Sequence, residues 1–203
     1  GPPPPRGTVT GRIIDVDGEP VSELEVQCCT VDTCFVGSTD DDGQYQFSSL
    51  RVIPRKFRII SEAGGTIDGL FYQEVVADTV TALARDVILQ PLPEDPVAWS
   101  EGSATLAGGT LELTVAPGAL HFESGEASPV GARQIAAADL PPYDQEPWQA
   151  PGSEALAFVL TPFHLSREEP LDLRVLSGVD AAPGTQLSVW SIDPSDATSH
   201  EVG

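Results

Sequence analysis

The sequence predicts an all-β protein built as two tandem Greek-key, immunoglobulin-like β-sandwiches, on three observations. Glycine and proline are abundant, with 19 of each among 203 residues. Short alternating segments recur between turn signals every 8–12 residues, the spacing of sandwiches and barrels. Long stretches of 3.6-residue periodicity are missing. Hydrophobic residues make up 40% of the chain, enough to form a core.

Taken in order, strands are expected over 8–15, 24–30, 34–38, 44–48, 56–61, 73–76 and 84–89. Asp17-Gly18-Glu19-Pro20, Asp42-Gly43 and Gly64-Gly65 mark turns between them. Pro91-Leu92-Pro93-Glu94-Asp95-Pro96 reads as a stiff extended connector. It divides a first domain, residues 1–90, from a second, 98–203, with 91–97 as linker. Further strands are expected over 103–106, 110–115, 130–138, 155–161, 171–176 and 186–192. Leu111, Leu113 and Val115 share one face, as do Leu171, Leu173 and Val175, which predicts one buried and one solvated face per sheet. Residues 139–152, with four prolines, read as a long loop.

Charge and cysteine usage narrow the function classes. The net charge of −21 repels phosphate backbones and anionic lipid, so neither nucleic acid nor a membrane surface is an expected partner. No run of 18 apolar residues exists to cross a membrane as a helix. The cysteines, Cys28, Cys29 and Cys34, cluster without the second ligand pair a zinc site needs. A local disulfide fits better and places the protein in an oxidising, extracellular compartment. If Val31-Asp32 is a two-residue turn, Cys29 opposes Cys34 and Cys28 opposes Phe35 on the core side. That register predicts a Cys29–Cys34 bridge and leaves Cys28 as a buried thiol. A longer loop would instead pair Cys28 with Cys34.

One segment carries a family resemblance. Thr39-Asp40-Asp41-Asp42-Gly43-Gln44-Tyr45-Gln46-Phe47 resembles the T-D-x-x-G-x-Y-x-F hallmark of carboxypeptidase regulatory-like domains, relatives of transthyretin and collagen-adhesin B-type modules. Gly11-Arg12-Ile13-Ile14-Asp15 and Gly18-Glu19-Pro20-Val21 are similar to that family's opening. The resemblance spans roughly residues 8–90 and implies a seven-stranded sandwich acting as a spacer or adhesion module. Independently, Gly43 suits a turn needing positive φ, and Tyr45 and Phe47 fall on one strand face directed at the core. The chain has no asparagine, which excludes a Lys–Asn isopeptide bond and an N-glycosylation sequon. Residues 109–120, with 163–173 and 184–190, resemble more loosely the β-sandwich domain of ankyrins, netrin receptors and bacterial surface proteins.

Several residue groups have the right types for chemistry. Asp40, Asp41 and Asp42, with Asp15 and Asp17, offer hard oxygen ligands for calcium but lack the spacing of a calcium loop. A solvated turn is the simpler expectation. His121, His164 and His200 are widely separated, and no G-x-S-x-G elbow is present, so no catalytic residue and no cofactor is expected. Arg51, Arg55, Lys56 and Arg58 form a candidate interaction patch for an acidic glycan or an acidic neighbour. Among Trp99, Trp148 and Trp190, the pair Tyr143 and Trp148 is the candidate exposed sugar-stacking site.

The reading is therefore a non-catalytic structural or adhesive module of a secreted or cell-surface bacterial protein. Its expected partners are other protein chains or extracellular glycan. The alternatives are a carbohydrate-binding module and a self-assembling subunit joined through sheet edges or a donated N-terminus.

Overall fold

A computed structural model describes residues 2–30, 33–53, 55–60, 66–67, 69–98, 102–115, 120–122, 129–150, 155–161, 165–167, 172–178, 182, 185–186, 188–193 and 197–202. The protein is all-β, and among the described residues only short 3₁₀ turns occur besides strands. It folds as two compact units whose segments interleave along the chain. Unit 1 comprises Gly1–Pro91, Ala138–Ser153 and Gln186–Gly203, and unit 2 comprises Leu92–Ala137 and Glu154–Thr185. The first division falls inside the proline-rich stretch. Residues 138–153 and 186–203 differ from the sequence expectation, which gave them to a second sandwich. Side chains from residues 85, 144 and 199 tie these returning segments to unit 1, as described below.

Unit 1 contains β1 (Arg6–Ile14), β2 (Glu25–Cys29), β3 (Cys34–Ser38), β4 (Gln44–Arg51), β5 (Arg55–Ile60), β6 (Gly69–Gln73), β7 (Val80–Ala82) and β8 (Val87–Ile88). One sheet runs β4-β1-β7, with β8 also pairing parallel to β1. The other runs β3-β2-β5-β6, antiparallel throughout. The two sheets face each other across one core. Val9, Ile13, Tyr45 and Phe47 from the first sheet meet Val26, Cys28, Phe57 and Phe71 from the second. Tyr45, Phe47, Phe57 and Phe71 have ring centroids 5.1–6.1 Å apart, the spacing of offset and tilted aromatic pairs. Alternation built this: in β4 Tyr45 and Phe47 point inward while Gln44, Gln46 and Ser48 stay exposed.

Two turns at one end of unit 1 are closed by carboxylates. Asp15 Oδ1 accepts from the backbone N–H of Asp17 and Glu19, and Asp40 Oδ1 from Asp42 and Gln44. These are Asx turns, in which a side chain replaces a backbone acceptor. Gly43 has φ +73°, and its carbonyl accepts from Ile13 N at 2.8 Å.

The β2–β3 hairpin has the register expected from the cysteines. Cys28 opposes Phe35, Cys29 opposes Cys34, and Cys29 and Cys34 are disulfide-bonded. Thr30 N donates to Thr33 O at 2.8 Å, while the turn residues 31–32 lie outside the described residues. Cys28 is buried outside the bridge. Two side chains depart from expectation. Phe35 is 45% exposed rather than in the core, because β3 is the edge strand of its sheet. Cys29 is only 2% exposed although its neighbours on that face are polar, because β2 is an interior strand flanked by Cys34 and Lys56.

The later strands of unit 1 also shift. The strand expected at 73–76 forms at 69–73, because Leu70 and Phe71 are both buried and the run lacks clean alternation. The strand expected at 84–89 is reduced to the two residues of β8, and β7 forms upstream of it at 80–82, where no strand was expected.

Unit 2 holds β9 (Gly102–Leu106), β10 (Leu111–Val115), β11 (Leu120–Phe122), β12 (Gly131–Ile135), β13 (Ala157–Thr161), β14 (Leu165–Arg167) and β15 (Asp172–Val175). The sheet β15-β10-β9 and the pair β12-β13 contribute to one core around Leu106, Leu111, Leu113, Val115 and Val130. Leu173 and Val175 oppose Leu113 and Leu111, yet both are nearly half exposed. Their strand lies at the sheet's edge, so the expected buried row is lost at the margin; Leu171 lies outside the described residues. The chain ends in unit 1 with β16 (Trp190–Ile192) and β17 (Ser199–Glu201).

Candidate functional site

The site in unit 1 is built on Gln73, the last residue of β6. Its side chain is buried, and burying an amide is tolerated only when its polar atoms are bonded. Tyr45 Oη donates to Gln73 Oε1 at 3.2 Å, and Gln73 Nε2 donates to Thr10 O and Thr81 O, both at 3.0 Å. One side chain thereby links β4 with the neighbouring strands β1 and β7. Burial, reinforced by the nearby Cys28, pushes the Tyr45 phenol well above its ordinary range.

Segment 138–150 is attached to this floor by three sets of bonds. Tyr72 N donates to Pro142 O at 2.9 Å. Arg85 donates through Nε and Nη2 to Leu140 O and through Nη2 to Pro141 O, at 2.9–3.1 Å. Its Nη1 and Nη2 also form a bidentate pair with the Glu146 carboxylate, with Nη1 to Oε2 at 3.0 Å. The rigid guanidinium fork is suited to this, since it offers five donors in one plane. Glu146 Oε1 also accepts from Tyr143 N at 3.1 Å. Asp144 Oδ1 accepts from Ser199 N at 2.7 Å, and the buried Ser199 hydroxyl lies 2.8 Å from Gln145 O. A proline-rich stretch that reads as an open loop is therefore ordered at both ends.

These bonds bring Tyr143 and Trp148 together, ring centroids 6.0 Å apart and edge-to-face. Trp190 joins from the returning strand, 6.3 Å from Trp148. All three rings are partly buried. Trp148 sits edge-on between two rings, with its Nε1 buried and without a protein partner. Tyr143 remains at a surface. It borders a shallow cleft of about 220 Å³, whose walls include Tyr72, Glu74, Thr81, Leu83 and Asp144. Thr81 Oγ1 is a second buried polar atom without a protein partner. Burial pushes the Tyr143 phenol up, opposed by Arg85 and reinforced by Glu146.

The other candidates fall elsewhere. The basic patch divides between sheets. Arg51 ends β4, opposite Arg6, whereas Arg55, Lys56 and Arg58 lie in β5 of the facing sheet. Lys56 and Arg58 are half-buried, and the Arg55 side chain lies outside the described residues. The Asp15 and Asp40 carboxylates proposed for calcium each spend an oxygen on backbone N–H groups. Among the described residues, no three His, Cys, Asp or Glu side chains converge. His200 Nε2 lies 2.7 Å from Thr198 Oγ1. Trp99, His164 and the His121 side chain lie outside the described residues.

Sequence reading missed Arg85, Glu146, Gln73 and Ser199. Arg85 and Ser199 each meet partners some 55 or more positions away, a separation that leaves no local pattern. The one available signal was the rarity of cations in this chain, which makes each isolated arginine an obvious anchor for acidic segments.

No family model matches the chain, and no curated protein sequence matches it. Neither resemblance noted in the sequence is therefore raised to family membership. Among solved structures, the chain is similar to the TIE protein of Bacillus anthracis, at 11% identity over 64% of this chain and 27% of that one, TM-score 0.38. It is similar to a DUF3823 family protein of Bacteroides ovatus, at 16% identity over 85% and 82%, TM-score 0.34. It is also similar to a streptococcal ancillary pilin, at 14% identity over 97% and 58%, TM-score 0.36. The chain spans less than two thirds of the TIE protein and of the pilin. Identities and scores this low assign no family.

Proposed function

We propose that the protein is a non-catalytic binding or adhesive module of a secreted or cell-surface protein, and that segment 138–150 of unit 1 is its recognition edge. The observation that carries the reading is the anchoring of that segment. A stretch rich in proline and acid is held by Arg85, Tyr72 and Ser199, and a binding surface costs less to use when its loop is already ordered. The Cys29–Cys34 disulfide supports an oxidising location. The acidic charge supports solubility outside the cell and disfavours nucleic acid.

The test is brief protease treatment of intact cells that make the protein, with non-reducing peptide mapping of what is released. The expected result is released peptides carrying the Cys29–Cys34 bridge. Retention of the whole protein inside the cells, with three reduced thiols, would overturn the reading.

A second reading, self-association through a sheet edge, is favoured by one observation. Strand β3 is an uncharged edge carrying Phe35 and Val36, the latter 61% exposed. Natural proteins usually blunt such edges with charge, proline or a bulge. Light scattering of the purified protein checks this: a monomer at all concentrations removes it.

A further inference from the structure

We propose that the cleft between β6, β7 and segment 138–150 is a saccharide site that takes the end of a neutral glycan. This rests on the reading of unit 1 as a binding module and names its ligand class.

Size is the first argument. At about 220 Å³ the cleft is smaller than the roughly 300–1,000 Å³ of sites that engulf drug-sized ligands. It admits one ring-sized unit, as in recognition of a terminal sugar.

Polarity is the second. The groups left available on the walls are hydroxyls and carboxylate oxygens. Glu74 is exposed, and Asp144 keeps Oδ2 after Oδ1 is taken by Ser199. Arg85, the cation beside this segment, is already engaged with Glu146 and two carbonyls. Anionic ligands therefore face the Glu74 and Asp144 carboxylates while Arg85 is held by Glu146. A ligand bearing many O–H donors matches acceptor-rich walls, and the hydroxyl of Tyr143 either donates or accepts.

The third argument is the Tyr143 ring. Sugars present apolar C–H faces that pack on aromatic rings, and Tyr143 is met edge-to-face by Trp148, which Trp190 meets in turn. The aromatic trio thus has a use without Trp148 being exposed: it stiffens the ring that meets the ligand.

The experiment is an array of neutral oligosaccharides ending in glucose, galactose, mannose or xylose. Uronate-bearing and sulfated glycans and an oligolysine peptide are spotted beside them. The full chain is probed as wild type, Glu74→Gln, Tyr143→Phe, Tyr143→Ala and, as control on a distant turn, Asp41→Asn. The expected result is binding to at least one neutral terminus. It is weakened tenfold or more by Tyr143→Ala and by Glu74→Gln, less by Tyr143→Phe, and not by Asp41→Asn. Glu74 is exposed and its variant keeps the side chain's shape, so that arm stands even if Tyr143→Ala fails to fold. No neutral binding, binding indifferent to Glu74→Gln, or binding confined to acidic glycans or oligolysine would overturn the proposal. A disulfide-bonded surface protein that binds no neutral sugar sinks the saccharide assignment and leaves the module reading standing. Reduced protein retained inside cells sinks the module reading whatever the array shows.

Discussion

Replacing Gly43 with alanine tests whether the turn over 40–44 is held by backbone conformation alone or also by close packing. Two costs are separable. Gly43 has φ +73°, and an L-residue placed in the left-handed region loses roughly 1–2 kcal/mol. The added Cβ would also lie 2.4 Å from Ile13 O, a contact that real structures do not tolerate. That carbonyl accepts from Val21 N, and Ile13 N donates back to Gly43 O. Moving β1 away therefore weakens two hydrogen bonds, each contributing about 0.5–1.5 kcal/mol. Together the change should cost about 2–5 kcal/mol, a large share of the roughly 5–15 kcal/mol that stabilises a typical domain. Gly18 supplies the internal control. It has φ +86°, but nothing lies within 4 Å of its would-be Cβ, so Gly18→Ala carries only the conformational cost. Urea denaturation of both variants, followed by near-ultraviolet circular dichroism, should place Gly43→Ala below Gly18→Ala by at least about 1 kcal/mol, two lost hydrogen bonds' worth at the low end. Equal losses would refute the packing argument.

Arg85→Ala should release segment 138–150 while leaving the unit 1 core closed. Hydrogen exchange should show lost protection confined to that segment, and an Arg85/Glu146 double-mutant cycle should give a coupling of about 1–3 kcal/mol. Cys34→Ser should cost roughly 2 kcal/mol, the chain-entropy value for a six-residue loop; a melting temperature unmoved by reductant would contradict it. Residues 1–92 expressed alone should melt cooperatively, because the core from Val9 to Leu89 is complete within them. They should do so at a lower temperature than the whole chain, and a broad transition would refute the reading. The Tyr45 phenol, raised by burial, sets a sign for alkaline stability. Below about pH 10 folded and unfolded chains both keep the proton. Above it the unfolded chain ionises first, so stability falls by up to about 1.4 kcal/mol per pH unit. Tyr45→Phe should flatten that slope in an alkaline titration of stability.

What the sequence revealed depended on how local the cause was. The β2–β3 hairpin was legible because a short turn fixes which residues oppose each other, and the Cys29–Cys34 pairing follows from counting. The inward course of Tyr45 and Phe47 was legible because strand alternation has a period of two. Alternation says which face a residue is on, but not whether that face is covered. Phe35, Leu173 and Val175 sit on core-side faces of edge strands and stay partly in solvent. The cleft was half legible: Tyr143 and Trp148 stood out as aromatic residues in a proline-rich run. Arg85, Gln73 and Ser199, which hold that run in place, are ordinary polar residues whose partners are set by tertiary folding alone. The same blindness assigned 138–153 and 186–203 to the wrong unit, since nothing local announces a return.

The interleaving of the two units also gives the protein a history each time it is made. A ribosome adds about 5–20 residues per second, and Arg85 precedes Glu146 by 61 positions. The arginine therefore exists for roughly 3–12 s before its carboxylate has been synthesised. During that interval the first sandwich already holds every residue of its core, while one wall of the cleft is still missing. Ser199, which fastens Asp144, comes later still. The cleft is thus walled in only after the sandwich core is made, and a nascent or stalled chain carries a folded body with one side of that cleft unfinished.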